Sequence, residues 1–231
     1  MMTCYVQQEE YPKYQMINVN HSIAGLNAEE MINICDNNGT RSDLNASYLN
    51  TVIDLSYTNE MLFELYKMHE WIIGHHGIYE DGIIRIRSYF LMKNSKAIKT
   101  IVHDIKRATD QLIATISLLS HTHNYIESVG SLFKYREKET EFLNYFSEHM
   151  IFLKLLNNMD NSFKHHLTND IKRYFDSEKP VITVFYCKDY SKGYGDNKRE
   201  KVIEKPMDEF INEFNEFLSL SKSILMELLS V

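Results

Sequence analysis

Ten histidines are spread along the chain, and several have spacings that suit metal coordination. His69 and His76 lie seven residues apart, which places two side chains on one side of a helix. His123 and His166 each have a carboxylate four residues later, and a pair at that spacing shares a helix face. Helical bundles hold metal ions with imidazoles and carboxylates that project inward from several helices. The sequence therefore offers one candidate site for iron or another transition metal, with ligands drawn from His69, His76, His123, Glu127, His149, His166 and Asp170.

Two histidine–carboxylate spacings match ligand motifs of a known family. His123-x3-Glu127 matches an HxxxE motif, and His165-x4-Asp170 matches an HxxxxD motif. With these two motifs the chain is partly similar to the hemerythrin family, and the resemblance implies a four-helix bundle that binds two irons. The chain departs from the family's HxxxH motif, because Leu153 stands four residues after His149. The single histidine that comes first in the family has three candidates here: His69, His75 and His76.

A second interpretation of these histidines is structural. Histidines at helix seams are commonly hydrogen-bonded core residues or partners of a neighbouring carboxylate. In a straight helical hairpin with its turn at Gly130, His123 and His149 would lie at levels about 18 Å apart. With a second turn at 157–160, His149 and His166 would lie level. The two interpretations therefore differ in whether the histidines meet in space.

Other catalytic motifs are incomplete. His69-Glu70 begins an HExxH zinc motif, but Ile73 occupies the position of the second histidine. The sequence contains no Walker A loop, no dinucleotide-binding glycine motif and no GxSxG motif. Its three cysteines are widely spaced and form no CxxC pair, which favours a reducing compartment over a disulfide framework.

The elements that must position these residues are mostly helices. The chain has only three prolines and eight glycines among 231 residues, and such scarcity favours long helices. We predict a mainly α fold, a bundle of four to six helices with a small β-hairpin inserted before the C-terminal helix. We assign residues 1–42 to an irregular segment, with possible strands at 4–7 and 15–19 and one short helix beginning at 27–30, and residues 43–231 to the bundle.

Helical periodicity places the main helices. Residues 44–73 form one predicted helix, and residues 162–175 and 207–229 form two others. Residues 95–129 form the clearest, because apolar or small residues recur at alternating steps of four and three, with His123 in that seam and Gly130 as its end. Residues 137–156 form another predicted helix, followed by a turn at 157–160. The sequence leaves residues 83–90 open between a strand and a helix.

The predicted hairpin spans about 181–204. Residues 181–187 are β-branched and aromatic, which is typical of a strand, and residues 201–204 are its predicted partner. The connecting loop carries tyrosines and basic residues. Tyrosine gives a large contact area at low entropic cost, so this loop is a candidate contact surface, and the alternative is an ordinary solvated loop. Its candidate residues are Tyr190, Lys192, Tyr194, Lys198 and Arg199.

The charge balance bears on partners and location. With 25 Lys and Arg against 32 Asp and Glu, the formal net charge is −7, which argues against binding to nucleic acid. Lys96, Lys99, Lys106 and Arg107 look like one solvated helix face. No apolar run reaches the roughly 20 residues of a membrane span, and no signal peptide is visible. We expect a location in the cytoplasm of a cell or host cell.

Two functional hypotheses follow from the sequence. The first is a non-enzymatic helical-bundle protein that acts through protein–protein interaction, either with a partner protein or by self-association, because heptad-like helix seams suit partner helices. The second is a hemerythrin-like metal-binding bundle. Whether the protein is an enzyme stays open, and the first hypothesis, which needs no cofactor, is favoured.

Overall fold

The computed structural model describes residues 13–19, 42–75, 88–135, 137–165, 178–186 and 201–229. In these ranges the chain is mostly helical, with a two-stranded antiparallel sheet before the last helix, which confirms the predicted fold class. The α-helices are α1 (Ser42–His75), α2 (Ser88–Leu119), α3 (Val129–Lys134), α4 (Thr140–Asn144), α5 (Met150–His165) and α6 (Met207–Leu229). A 3-10 helix spans Ser147–His149, and the strands are β1 (Val181–Tyr186) and β2 (Lys201–Pro206).

Helices α1 and α2 form a long antiparallel pair. At one end Thr51 of α1 donates a hydrogen bond to the Gln111 side chain of α2. At the other end the rings of Trp71 and Phe90 lie 4.8 Å apart. Leucines and isoleucines at helical spacing are fully buried between and beneath the two helices, because each helix has an apolar side that folding removes from water. They include Leu55, Leu62, Leu65, Ile101, Ile105 and Ile116.

An aromatic cluster joins α5 to α6. The Phe152 ring lies 5.7 Å from the Phe210 ring and 6.4 Å from the Phe217 ring. Phe146 adds a stacked contact with Phe217 at 6.0 Å. Aromatic rings bury large apolar areas and contribute beyond area when they contact in tilted or stacked pairs. This cluster therefore holds the C-terminal helix to the core.

The N-terminal segment 13–19 packs across α1 and α6 without forming a strand, so the strand predicted at 15–19 is wrong. Its backbone is held by two asparagine side chains. Asn59 of α1 accepts from the Ile17 N–H at 2.9 Å and donates to the Ile17 carbonyl at 2.8 Å. Asn215 of α6 accepts from the Asn18 N–H at 2.8 Å and donates to the Met16 carbonyl at 2.9 Å. Amide side chains thus supply the hydrogen bonds that a neighbouring strand would give.

The hairpin passes directly into α6. The strands pair from Val181 with Pro206 to Tyr186 with Lys201, close to the predicted 181–204. Helix α6 begins at Met207, and the Met207 N–H donates to the Pro180 carbonyl at 2.8 Å. The base of the hairpin and the first turn of α6 are therefore fixed to each other.

The predicted helix over 95–129 is wrong in its last turns. Helix α2 ends at Leu119, and His121 adopts a left-handed backbone conformation with φ of 51°. The Thr122 N–H then bonds the Ser117 carbonyl and the His121 N–H bonds the Leu118 carbonyl, each at 3.4 Å. This pattern is the Schellman motif, which satisfies the free carbonyls at a helix end. His123 consequently lies in a loop.

Three further predicted elements differ. Gly130 does not end a helix but lies inside α3. The predicted helix over 137–156 is divided among α4, the 3-10 helix and the start of α5. The predicted turn at 157–160 is wrong, since α5 continues through it to His165. The predictions at 4–7, 27–38 and 166–175 lie outside the described residues, and in the undecided stretch 83–90 the described residues Ser88 to Phe90 belong to α2.

Candidate functional site: a groove between α1 and α2

The predicted metal ligands lie in different surroundings. His69 is buried on α1. His123 and Glu127 are exposed in the loop between α2 and α3, so their i,i+4 spacing no longer places them on a shared helix face. His149 ends the 3-10 helix with its ring 6.2 Å from the Phe217 ring. His76, His166 and Asp170 lie outside the described residues.

The ligands that the structure describes do not converge. In the described part of the chain, no group of three or more His, Cys, Asp or Glu side chains is arranged to hold a metal ion. The histidine–carboxylate metal site stays a prediction, and it depends on the residues outside the described ranges.

The loop that carries His123 is held by other polar groups. Glu139 Oε1 accepts from both the backbone N–H and the side-chain amide of Asn124, each at 2.7 Å. These hydrogen bonds from Asn124 hold the pKa of Glu139 below its ordinary value, and His123 also lowers it. In the preceding turn, Ser117 Oγ accepts from the Ile126 N–H at 2.9 Å. The Glu139 carboxylate therefore holds the loop that carries His123.

A histidine that the sequence did not single out pairs with a buried carboxylate. His103 Nδ1 of α2 lies 3.0 Å from Asp160 Oδ1 of α5, and Lys164 Nζ lies 2.6 Å from Asp160 Oδ2. The Asp160 side chain is only 4% exposed, whereas that of His103 is 52% exposed. A carboxylate that orients an exposed imidazole can support acid–base chemistry, but here Asp160 also binds Lys164, and the three residues tie α2 to α5.

The predicted basic face of α2 is divided in the structure. Lys96 and Arg107 are exposed, but Lys106 is 7% exposed and binds Asp110 with Nζ–O distances of 2.7 and 2.5 Å. Asp110 also accepts from the Val129 N–H at 2.7 Å, at the start of α3. Lys106 is therefore buried and belongs to a partly buried ion pair that positions α3, and the prediction that Lys106 is solvated is wrong.

His149 lines a cleft between the start of α5 and α6. The cleft has a volume of about 540 Å³, and three of its six lining residues are glutamates. The Glu213 carboxylate also accepts from Lys205 at 3.2 Å, so one of the three glutamates is already paired. The lining residues are Glu148, His149, Ile151, Phe152, Glu213 and Glu216.

A second opening, which we call the groove, lies between α1 and α2. Its volume is about 360 Å³. Apolar side chains form its floor, among them Met61, Leu65 and Met68 of α1 and Ala97 of α2. Methionine is flexible and polarisable, so a methionine-lined surface adapts to different apolar partners. The remaining lining residues are polar: Glu60, Glu64, Lys93, Lys96 and Thr100.

The walls of the groove carry opposite charges. Glu60 and Glu64 line the α1 side, and Lys93 and Lys96 line the α2 side. All four side chains are exposed. None of them belongs to the ion pairs found in the described part of the chain. The groove is thus acidic on one helix and basic on the other.

Helix α1 also carries a row of exposed residues beside the groove, which we call the outer stripe. Its members follow one another at steps of four, three, four, three and four residues, the spacing of a coiled-coil seam. Three of them are large and apolar, with Tyr57 59% exposed. Helix α1 accordingly separates apolar from polar residues less sharply than α2 or α6 does. The stripe consists of Ile53, Tyr57, Glu60, Glu64, Lys67 and Trp71.

Beyond the groove, the α1–α2 pair is closed by polar contacts. Arg107 Nη2 of α2 lies 3.3 Å from Asp54 Oδ2 of α1. Burial raises the pKa of the neighbouring Asp104, and His103 acts in the opposite direction.

At the other end of the groove Met92 is 72% exposed. It lies four residues before Lys96, on the same side of α2.

The predicted interaction loop, from Tyr190 to Arg199, lies outside the described residues and stays a prediction. No protein-family model, curated protein or solved structure matches the chain. Among the described helices, none combines the length and the apolar character that crossing a bilayer requires.

Proposed function

We propose that the protein is a non-enzymatic interaction protein and that it binds another polypeptide through the groove and the outer stripe. The observation that carries the proposal is the outer stripe itself. Long helices of a folded core normally bury their apolar stripe and expose polar residues, whereas α1 has a buried stripe and a second, partly apolar one. An exposed seam at coiled-coil spacing that mixes large apolar and charged residues is a feature by which helices recognise other helices.

The groove supports the same proposal. It has an apolar, methionine-rich floor and polar walls, the arrangement that protein interfaces use, with an apolar centre and a polar rim. A helix that lies along the groove would place apolar side chains against Met61 and Met68. Its charged side chains would meet Glu64 on one side and Lys96 on the other.

Site-specific photo-crosslinking tests the proposal. A photoreactive amino acid at Thr100, a half-exposed position in the groove, should crosslink to a discrete polypeptide when the full chain is expressed in its own cells. The same amino acid at Lys154, an exposed position on α5, is the matched control. Crosslinks from Thr100 that are absent from Lys154 would support the proposal. Equal labelling from both positions, or none from Thr100, would refute it.

A further inference from the structure

The charges around the groove are complementary to themselves. Acidic residues lie on α1 and basic residues on α2, at the same level along the pair, because Glu64 and Lys96 line the same opening. The two helices are antiparallel, so the level of a residue on α1 fixes which part of α2 lies beside it. Two copies of such a surface can face each other so that the acidic α1 side of each copy meets the basic α2 side of the other.

From this arrangement, and resting on the proposed function, we propose that the occupant of the groove is a second copy of this chain, related by a two-fold axis that runs along the groove. This axis is parallel to the helices. It exchanges the α1 side of the surface with the α2 side, and it leaves the position of each residue along the helix axis unchanged. Helix α1 of one copy then faces α2 of the other. Glu64 meets Lys96 of the second copy at the same level, and the symmetry repeats the pair.

Helix direction agrees with this arrangement. Because α1 and α2 run antiparallel within one copy, α1 also runs antiparallel to the α2 that it faces. The four helices then form an antiparallel four-helix bundle, in which short-range packing and helix dipoles are favourable. A two-fold axis across the helices would instead place α1 against α1, with Glu60 and Glu64 against the same carboxylates. The charge pattern therefore selects one of the two possible axes.

The available area is sufficient for a dimer. The α1–α2 overlap from Thr51 to Trp71 covers about 20 residues, or about 30 Å of helix. Two packed helices present a face roughly 20 Å wide, so each copy offers about 600 Å². The total of about 1,200 Å² reaches the lower end of the range for specific protein interfaces. We therefore expect a reversible dimer rather than an obligate one.

Dimerisation should bury the apolar residues that a single copy leaves exposed. Tyr57 and Ile53 continue the outer stripe at one end of the groove, and Met92 lies at the other end. Under the proposed axis Met92 faces the Met68 level of the second copy. Burial of these side chains supplies the attraction, while the charged walls set the register.

Charge reversal in sedimentation equilibrium tests the proposal with the full chain. Glu64→Lys alone and Lys96→Glu alone each turn two attractive pairs into two repulsive ones, so each variant should dimerise at least about tenfold more weakly. An equimolar mixture of the two variants restores opposite charges at both pairs, and it should form a heterodimer with affinity near that of the wild type. Circular dichroism checks that the variants fold, which is expected because both positions are exposed. Lys154→Glu on α5 is the control and should leave dimerisation unchanged.

The outcomes separate this inference from the proposed function. Weakened single variants and a restored mixture would establish the two-fold arrangement. A dimer that is insensitive to both reversals would overturn it. A monomer whose Thr100 position still crosslinks to a different protein would overturn self-association and leave the proposed function standing. A monomer whose Thr100 position crosslinks only within its own chain would overturn both.

Discussion

Replacing Asn59 with alanine should destabilise the protein more than any other single asparagine change at the N-terminal segment. Asn59 is fully buried, and its side chain both accepts from and donates to the backbone of Ile17. Ile17 is itself fully buried, so water cannot replace the two lost hydrogen bonds. Each buried polar group left unpaired costs about 1–3 kcal/mol, so the two groups together give a loss of about 2–6 kcal/mol in the free energy of unfolding.

Asn215→Ala is the matched control for Asn59→Ala. Asn215 makes the same two kinds of bond to the same segment, but its bond from the Asn18 N–H is exposed to solvent. Water can replace that bond, so we expect a loss of about 0.5–1.5 kcal/mol. For a chain of this size the Asn59 variant should melt roughly 4–24 °C below the wild type, and the Asn215 variant only a few degrees below it.

Urea denaturation followed by circular dichroism measures both losses, and hydrogen exchange at the Ile17 amide measures the local one. In Asn59→Ala that amide should exchange much faster than amides in the centre of α2. Equal losses in the two variants, or a protected Ile17 amide in Asn59→Ala, would show that the buried asparagine does not hold the segment.

Three further changes have defined signs. Tyr66→Phe should raise the free energy of unfolding by about 1 kcal/mol in urea denaturation, because the Tyr66 hydroxyl is buried with no hydrogen-bond partner among the described residues. The same burial raises the pKa of Tyr66. His121→Gly should raise the melting temperature by a few degrees, since glycine adopts the positive φ of this position without strain, and an unchanged or lower value would contradict this reasoning. Glu139→Gln should be less stable than the wild type at neutral pH. Because the folded-state pKa of Glu139 is lowered, its contribution is present above the ordinary glutamate pKa and lost as pH falls further, so the difference between the two proteins should vanish in urea titrations well below about pH 4.

The sequence predicted those elements whose local signals agree with the tertiary structure. The helix over 207–229 was predicted with the bounds that the structure has, because Pro206 precedes it and its phenylalanines recur at helical spacing. The strand at 181–186 was predicted over 181–187, from a run of β-branched and aromatic residues after Pro180. Both elements follow a proline, which marks where each one begins.

Tertiary contacts decide the elements that the sequence missed. Residues 157–160 have the composition of a turn, yet α5 continues through them, where Met159 is buried and Asp160 binds His103 and Lys164. The end of α2 has no glycine at its left-handed position, which His121 occupies. In the sequence, the helical spacing of apolar residues continues past the end of α2, and no glycine indicates where the helix ends.

The groove could have been partly predicted. The outer stripe is visible as spacing in the sequence, from Ile53 through Glu60 to Trp71. The buried row that includes Leu55 and Leu62 has the same period, and sequence alone does not say which of two rows faces the core. That choice depends on how α1 is rotated against α2 and the N-terminal segment, so only the structure shows that the partly apolar outer stripe is left exposed.

The direct passage from β2 into α6 limits how the length of this chain can vary in evolution. Side chains alternate along a strand but turn by about 100° per residue along a helix, so a single inserted residue after Pro206 would rotate α6 by about that angle relative to the hairpin. If Ile182 and Val184 of the hairpin kept their buried positions, Phe210 of α6 would be turned out of the core. We expect natural variants to carry insertions and deletions elsewhere, while the step from Pro206 to Met207 keeps a constant length.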